Sequence, residues 1–252
     1  MYKIPASTLF VGKNLHFLPE CASTNTYLMD LSRRQPQPEG TLVITPNQTA
    51  GRGQRATSWV SEPGQNLTFS LALKPRFLQA QQQFLLSQTV AVALHDCLQN
   101  LVHGLIRVKW PNDILLNGKK VCGILIENQL AGSQLETSVV GIGLNVNQQH
   151  FPIPTATSLA VEARQAFDLQ HVLDVLCTHL EARYLQLKKM AFEAVVNDYL
   201  RVLHWRNEAH SFIAKGKHIA GTILGVDEAG RLMVETSGRT EVFDLKEILY
   251  LA

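Results

Sequence analysis

Long apolar stretches are missing from this chain of 252 residues. No run approaches the roughly 18 consecutive apolar residues that a membrane-spanning helix needs. The first residues, Met1 to Ser7, also lack the apolar segment and the small-residue cleavage site of a secretory signal peptide. These absences predict a cytoplasmic protein that does not insert into a membrane.

Cysteine is scarce, and the four that occur, Cys21, Cys97, Cys122 and Cys177, form no CxxC pair. We therefore expect neither a disulfide framework nor a zinc site built on paired cysteines. The nine histidines include no HExxH pair, and the chain has no GxSxG nucleophile elbow and no GxxxxGK(S/T) phosphate loop. The standard zinc-protease, serine-hydrolase and P-loop mechanisms are thereby disfavoured.

The numbers of positively and negatively charged residues are modest and nearly equal. The sequence has 23 Lys and Arg against 21 Asp and Glu, which gives a formal net charge of +2. This balance does not favour a strongly basic nucleic-acid-binding protein. Hydrophobic residues make up 46% of the chain, enough to bury a sizeable core, so a wholly disordered chain is excluded.

Hydrophobic periodicity predicts a mixture of helices and strands. Apolar residues recur at helical spacing over 22–34, 80–101 and 168–189, and a further helix is predicted to end near Trp205. Strands are predicted over 41–45, 67–73, 105–109, 121–127 and 138–144, with a hairpin turn around residue 117. We interpret Pro111-Asn112-Asp113 as a turn.

The hydrophobic pattern of the sequence changes after the last predicted helix. Five short strand-like runs lie between 211 and 251, and Gly216, Gly230 and Gly238 separate them. Short strands at close spacing predict a small barrel. We therefore expect a boundary between a domain over 1–205 and a domain over 206–252.

A glycine- and arginine-rich segment ending in a tryptophan is the first motif suited to chemistry, and we call it the arginine loop (residues 48–59). Glycine lets backbone N–H groups approach phosphate, and arginine carries a permanent charge that matches phosphate or carboxylate. Trp59 offers a flat face for a planar base. The alternative interpretation is a flexible basic surface loop.

The second motif is Lys109-Trp110-Pro111-Asn112-Asp113, with Lys120 on the predicted returning strand. Asn112 and Asp113 carry oxygen atoms of the kind that Mg²⁺ binds beside a phosphate. Lys120 is expected to aim its ammonium at the same place. The alternative is a tight hairpin with a solvated turn and a lysine that extends into solvent.

Two weaker motifs complete the set. Ser23-Thr24-Asn25 precedes a predicted helix and is explained by capping alone, although such groups also bind polar ligands. Gly141 to Asn145 ends an apolar strand and is explained by a turn, although its glycines allow close ligand approach. Together the motifs predict one site for a nucleoside triphosphate and a small acid, which react with each other while the protein positions them.

These motifs resemble those of the biotin protein ligases, also called biotin–acetyl-CoA-carboxylase ligases, over essentially the whole chain. Lys109 to Asp113 match the family's KWPND signature residue for residue, and Lys120 falls where the family has its active-site lysine. The resemblance implies a mixed α+β catalytic domain related to class II aminoacyl-tRNA synthetases, a fold shared with lipoate ligases. It also implies an SH3-like β-barrel over 206–252.

The resemblance implies a two-step reaction. With Mg²⁺, the carboxylate of biotin attacks the α-phosphate of ATP and gives biotinyl-5′-AMP and pyrophosphate. A specific lysine of a biotin carboxyl carrier protein domain then takes the biotinyl group and releases AMP.

The roles of the family carry over to the matching positions. The catalytic residues implied are Lys120, Asp113 and Arg52. The residues implied to bind biotin are Ser23, Thr24, Asn25, Gln48, Gly51, Arg52, Gly53, Gln54, Lys120, Gly123 and Gly143. Those implied to bind ATP are Arg52, Arg55, Trp59, Lys109, Asn112, Lys120, Leu144 and Asn145, with Trp59 over the adenine. The residues implied at Mg²⁺ are Asn112 and Asp113.

The arginine loop departs from the family's commonest pattern, GRGRxGRxW. Gln54 stands where many members have an arginine, and Ala56-Thr57 replaces a Gly-Arg. Positive charge over the adenylate is reduced, so the hold on the reactive intermediate is expected to change. The triplet begins at Ser23 and leaves no room for the winged-helix domain of some members, so we expect no DNA binding; a homodimer remains open.

Three alternatives remain open at this point. A lipoate or octanoate ligase or transferase would share the fold and the acyl chemistry, although KWPND and the GRG sequence favour biotin. A non-catalytic biotin-binding protein would fit the altered loop, although Lys120 and Asp113 favour turnover. An SH3-like peptide adaptor would depend on the C-terminal barrel alone.

Overall fold

The computed structural model describes residues 2–54 and 57–251, and a seven-stranded sheet organises most of them. The strand order is β1-β2-β3-β7-β6-β5-β4. Strands β1 and β2 pair in parallel, and the other neighbours pair antiparallel. The strands are β1 (Leu15–Phe17), β2 (Leu42–Thr45), β3 (Leu67–Leu73), β4 (Ile106–Lys109), β5 (Asp113–Leu116), β6 (Lys119–Ala131) and β7 (Gln134–Leu144).

Three helices pack together on the first face of this sheet: α2 (Gln83–Leu101), α4 (Leu169–Lys188) and α5 (Phe192–Val202). Phe69 on β3 and Leu94 on α2 belong to the apolar core there and are inaccessible to solvent. Burying each such side chain stabilises the fold by about 1.5–3 kcal/mol. Among the described residues, no helix combines the length and the apolar character required to cross a membrane.

A separate helix, α1 (Thr24–Arg34), packs on the opposite face of the sheet. Ser23 caps it, since the Ser23 Oγ accepts the N–H of Thr26 at 3.4 Å. A small apolar cluster joins α1 to the sheet and consists of Leu28, Val43, Ala72 and Val139. Because side chains alternate between the faces of a strand, residues two and four positions from Ala72 and Val139 also lie on the α1 face.

The C-terminal residues form a second, five-stranded antiparallel sheet in the order β11-β10-β9-β8-β12. The outer strands β11 and β12 do not pair with each other in the described part of the chain, so a closed barrel is not found and the SH3-like barrel stays a prediction. The strands are β8 (Ala209–Ala214), β9 (Lys217–Val226), β10 (Leu232–Thr236), β11 (Arg239–Phe243) and β12 (Ile248–Tyr250).

The predicted helices and strands are confirmed with small shifts of their ends, and so is the hairpin at Asn117-Gly118, whose φ angles are 51° and 81°. The sequence missed β1, β5 and the short helix α3 (Leu159–Ala163), because segments of three to five residues carry no readable period. The interpretation of Asp113 as a turn residue was wrong. Asp113 begins β5 and pairs with Lys109 across a tight turn.

A partly buried charge cluster ties the helices of the first face together. Arg183 on α4 donates from Nε to the Asp96 carboxylate of α2 at 2.7 Å and from Nη1 to Asp198 of α5 at 2.5 Å. Burial by itself raises the pKa of Asp96, but hydrogen bonds from His95 and Arg183 outweigh it and hold this pKa below its ordinary value.

The cluster predicts an acid-dependent loss of stability. A carboxyl group with a lowered folded-state pKa stabilises the fold above its unfolded pKa of about 3.9, and this contribution is lost as pH falls through the lower folded-state pKa. We expect Asp96→Asn to destabilise the protein at pH 7 and the deficit to shrink below pH 4, as measured by urea unfolding. Asp30→Asn, which removes an exposed partner of Arg33 on α1, is the control. A deficit that does not change with pH would contradict the prediction.

Candidate active site

A cavity of about 410 Å³ lies on the α1 face of the seven-stranded sheet. Its floor is a row of residues paired across five strands: Thr68, Gly143, Gly123, Asp113 and Lys109. Because a cross-strand row shares one face, it brings together positions that are far apart in the sequence. The predicted residues that line the cavity are Ser23, Thr24, Asn25, Gln48, Arg52, Gly53, Gln54, Trp59, Lys109, Asn112, Asp113, Lys120, Gly123 and Gly143.

The start of α1 forms a polar corner of the cavity. The backbone N–H and the hydroxyl of Thr24 both donate to Gln48 Oε1, at 2.9 and 3.2 Å. Ser23, Thr24 and Asn25 are each no more than 5% exposed. The corner therefore offers fixed hydroxyl and amide groups without a net charge, which suits a neutral polar ligand head.

Arg52 reaches the cavity from the arginine loop. Its backbone bridges to Ser58, and the N–H of Gly53 donates to the carbonyl of Thr57 at 2.7 Å, so the described ends of the loop are held together. The Arg52 side chain is 46% exposed and pairs with Glu127. Its guanidinium is therefore accessible to an anion in the cavity.

Trp59 packs against the two facing glycines of the floor. A Cβ on Gly143 would lie 2.3 Å from Cε2 of the indole, and a Cβ on Gly123 would lie 3.1 Å from Cζ3. At position 143 only glycine leaves room for the ring, and at position 123 a side chain would make a tight contact with it. The resemblance implies that Gly123 and Gly143 lie at biotin and that Trp59 lies over adenine. In this structure the indole of Trp59 contacts both glycines.

Lys120 and Asp113 form an ion pair in the cavity, with Nζ and Oδ1 2.6 Å apart. A bulge in the pairing of β5 with β6 accounts for the orientation of Lys120. Strict alternation would turn Lys120 to the face of Cys122, away from Gly123, whereas the extra residue Val121 returns it to the site.

Lys109 completes the charged end of the cavity. Burial lowers the pKa of Lys109, and the nearby Lys120 lowers it further, while Asp113 opposes both. Its ammonium lies 4.7 Å from the ring centroid of Tyr250, so the C-terminal sheet also contacts this end.

The residues expected at Mg²⁺ do not form a protein-built metal site. Asn112 Nδ2 donates to the carbonyl of Ile124 at 2.8 Å, and Asp113 Oδ1 is paired with Lys120. Within residues 2–54 and 57–251, no three His, Cys, Asp or Glu side chains cluster in a way that could hold a metal ion. Mg²⁺ usually keeps several waters and is bound through one or two carboxylates together with substrate phosphates, rather than in an all-protein cage.

Other predicted residues lie beside the cavity. Gly51 packs inside the arginine loop, where a Cβ would lie 2.3 Å from the Trp59 carbonyl oxygen. Leu144 is fully buried in the core, and Asn145 donates from Nδ2 to the carbonyl of Thr157 at 3.0 Å. These contacts give Leu144 and Asn145 a structural role, and their part in ATP binding stays a prediction. Arg55 lies outside the described residues.

Sequence reasoning missed three contributions to the site. Ser70 is inaccessible to solvent and donates a hydrogen bond to Asn25. Glu127 accepts hydrogen bonds from Arg52. The segment 245–250 of the C-terminal sheet closes one side of the cavity. Ser70 pairs with Gly141 across β3 and β7, and Glu127 lies four positions after Gly123 on β6. Such pairing is invisible in a single sequence, and the C-terminal segment carries no motif at all.

The geometry agrees with the comparisons to known proteins. Residues 18–145 match the model of the biotin/lipoate A/B protein ligase family. The bifunctional ligase/repressor BirA of Bacillus subtilis is 33% identical over 91% of this chain and 72% of its own length. This chain belongs to the biotin/lipoate A/B protein ligase family.

Other members of the family agree with this assignment. The biotin–(acetyl-CoA-carboxylase) ligase of Paracoccus denitrificans is 32% identical over 82% of this chain and 89% of its own length. The solved biotin protein ligase from Aquifex aeolicus in complex with biotin and ATP is 25% identical, covers 94% of this chain and 98% of that one, and has a TM-score of 0.77. The resemblance to biotin protein ligases drawn from the motifs is confirmed.

Proposed function

We propose that this protein is an ATP-dependent biotin protein ligase that activates biotin and transfers it to a lysine of a biotin carboxyl carrier protein domain. One observation carries the proposal: the Lys120–Asp113 pair, Arg52 and the Thr24–Gln48 corner all face a single cavity. A neutral polar head, an anionic middle and a phosphate could be bound there side by side. The complex of the Aquifex aeolicus ligase with biotin and ATP supports this choice of substrates.

In the first step, a carboxylate oxygen of biotin attacks the α-phosphorus of MgATP. The P–O bond to the β-phosphate breaks, and pyrophosphate leaves with the bonding electrons. Lys120 would stabilise the charge that develops on the α-phosphate, and Arg52 would bind this phosphate both in ATP and in the transition state. Thr24 and Gln48 would hold the biotin head, and the protein itself forms no covalent intermediate.

In the second step, the amine of the carrier lysine attacks the acyl carbon of biotinyl-5′-AMP, and AMP leaves. A lysine is protonated at neutral pH, so the attack requires loss of a proton. Asp113 is the only carboxylate among the described residues that line the cavity, and its pairing with Lys120 would hold it near the reacting carbon. We propose that Asp113 accepts this proton.

Biotin-dependent exchange of labelled pyrophosphate into ATP tests the proposal directly. We expect exchange with biotin and none with lipoate, which is the needed comparison because the family as described includes lipoate ligases. Exchange with lipoate alone would replace biotin as the substrate. Biotin binding without exchange would instead favour the binding-only alternative.

Gln54 lines the cavity next to Gly53, where it adds no charge to the arginine loop. We expect Gln54→Arg to slow the release of biotinyl-5′-AMP by about threefold to tenfold, since a guanidinium forms charge-assisted hydrogen bonds to phosphate. Quenched-flow trapping of free and bound intermediate measures this. Gln65→Arg, which adds the same charge at an exposed position outside the cavity lining, is the control. Equal release rates would mean that residue 54 does not face the adenylate.

We also propose that residues 1–205 form the catalytic unit and residues 206–252 an SH3-like module. The change from helices to closely spaced strands after α5 supports this division. The module would contribute to the site through its segment 245–250. A cytoplasmic location, where ATP is available, remains the expectation from the sequence.

A further inference from the structure

Glu127 is the anionic partner of Arg52, and neither the family motifs nor the proposed mechanism gives it a role. Both carboxylate oxygens accept hydrogen bonds from Arg52 Nη2, at 3.0 and 2.7 Å. The side chains of Arg52 and Glu127 are 46% and 29% exposed. This contact joins the arginine loop to strand β6.

A chain of hydrogen bonds continues from Glu127 to the polar corner. Asn25 Nδ2 donates to Glu127 Oε2 at 2.8 Å, and Asn25 Oδ1 accepts from Ser70 Oγ at 2.6 Å. Ser70 Oγ also lies 2.8 Å from the hydroxyl of Thr24, which donates to Gln48. Asn25, Ser70 and Thr24 are at most 3% exposed, so this part of the chain of hydrogen bonds is shielded from water.

The sheet is shaped to let this chain pass. A Cβ on Gly141 would lie 2.3 Å from Asn25 Oδ1, so any larger residue would displace the amide that links Ser70 to Glu127. Gly141 pairs with Ser70 on one side and with Leu125 on the other. The glycine therefore explains why Asn25 can cross two strands and reach Glu127.

The contact uses one edge of the guanidinium. Within the described residues, the hydrogen bonds of the Arg52 side chain come from Nη2, and Nε and Nη1 have no partner. A guanidinium has five donors in a rigid plane, so fixing one nitrogen orients the others. Building on the proposed function, we propose that Glu127 is a positioning residue that holds Arg52 so that its remaining donors face the α-phosphate of the bound nucleotide.

Kinetics of the full-length enzyme test this assignment. We expect Glu127→Ala to raise the KM for ATP in pyrophosphate exchange about tenfold, the scale of one charge-assisted hydrogen bond, while kcat changes less than about threefold. Glu127→Gln keeps an acceptor oxygen of the same shape, so it should restore most of the affinity. Calorimetric binding of ATP should show the same order of the three proteins without any turnover.

A matched variant shows whether the effect of Glu127→Ala comes from the lost positioning of Arg52 or from the loss of any partly exposed ion pair. Glu136→Ala removes the Glu136–Arg76 pair on β7, which is also partly exposed and lies outside the cavity lining. It should leave the KM for ATP unchanged. If Glu127→Ala binds ATP as tightly as Glu136→Ala does, the proposal is overturned.

A double-mutant cycle tests whether Glu127 acts through Arg52. Adding Glu127→Ala to Arg52→Ala should not weaken ATP binding further, whereas independent, multiplying effects would overturn the proposal.

The same measurements separate this proposal from the proposed function. If the wild-type protein binds ATP and Glu127→Ala weakens that binding, but the wild type catalyses no biotin-dependent exchange, only the proposed function is refuted. A wild type that exchanges normally but shows no Glu127 dependence would refute the positioning role alone. Failure of the wild type to bind ATP would refute both.

Discussion

Replacing Lys120 with alanine is expected to lower biotin-dependent pyrophosphate exchange by about 100- to 1,000-fold, the usual effect of removing one charge-stabilising donor from a reaction centre. Lys120 Nζ is 2.6 Å from Asp113 and 5.6 Å from the ring centroid of Trp59, so the ammonium lies inside the cavity. Charge that develops on the α-phosphate would lose one of the cations that line the cavity. The loss should appear in kcat and kcat/KM alike, because the contact strengthens in the transition state.

Lys119 provides a matched control for this prediction. It precedes Lys120 on β6, carries the same charge and is exposed to solvent. Lys119→Ala should therefore retain exchange, and both variants should keep the wild-type circular dichroism spectrum and melting temperature. Near-normal exchange in Lys120→Ala would exclude the role assigned to Lys120.

Replacing Asp113 with asparagine is expected to impair transfer to the carrier by about 100- to 10,000-fold, the range of a general base, and to impair adenylation less. Asparagine keeps the shape of the carboxylate but cannot accept the proton of the incoming lysine. Single-turnover transfer from preformed biotinyl-5′-AMP to a purified carrier domain isolates the second step. Pyrophosphate exchange by the same variant measures the first.

The pH dependence of the transfer rate and the use of a small nucleophile in place of the carrier lysine sharpen this test. A free lysine has a pKa of about 10.4, so at higher pH more of the carrier lysine loses its proton without help. The defect of Asp113→Asn should therefore shrink as pH rises towards 10. Hydroxylamine, which is a neutral nucleophile at pH 7, should discharge the intermediate equally well in the variant and the wild type. An equal loss in both half-reactions would show that Asp113 acts by holding Lys120 rather than as a base.

Much of the fold and of the candidate site could be predicted because the signals are local. The long helices and most strands are marked by apolar periodicity, and Lys109 to Asp113 form a contiguous signature. Short elements were missed because three residues of β1 carry no period, and tertiary pairing drew Asp113 from a predicted turn into β5. The partners Ser70 and Glu127 were missed because their roles depend on which strands pair.

The sequence by itself determined the family of this protein and the residue types that its chemistry uses, since both are written in short contiguous motifs. Only the tertiary structure decided how those residues meet. The row from Thr68 to Lys109 crosses five strands, and its order follows from strand pairing. The bulge at Val121 turns Lys120 to the face of Asp113, and a facing pair of glycines admits Trp59. The physical reason is that three features depend on contacts between segments distant in the chain: the face to which each side chain points, the register in which strands pair, and the close approach of a ring to the backbone.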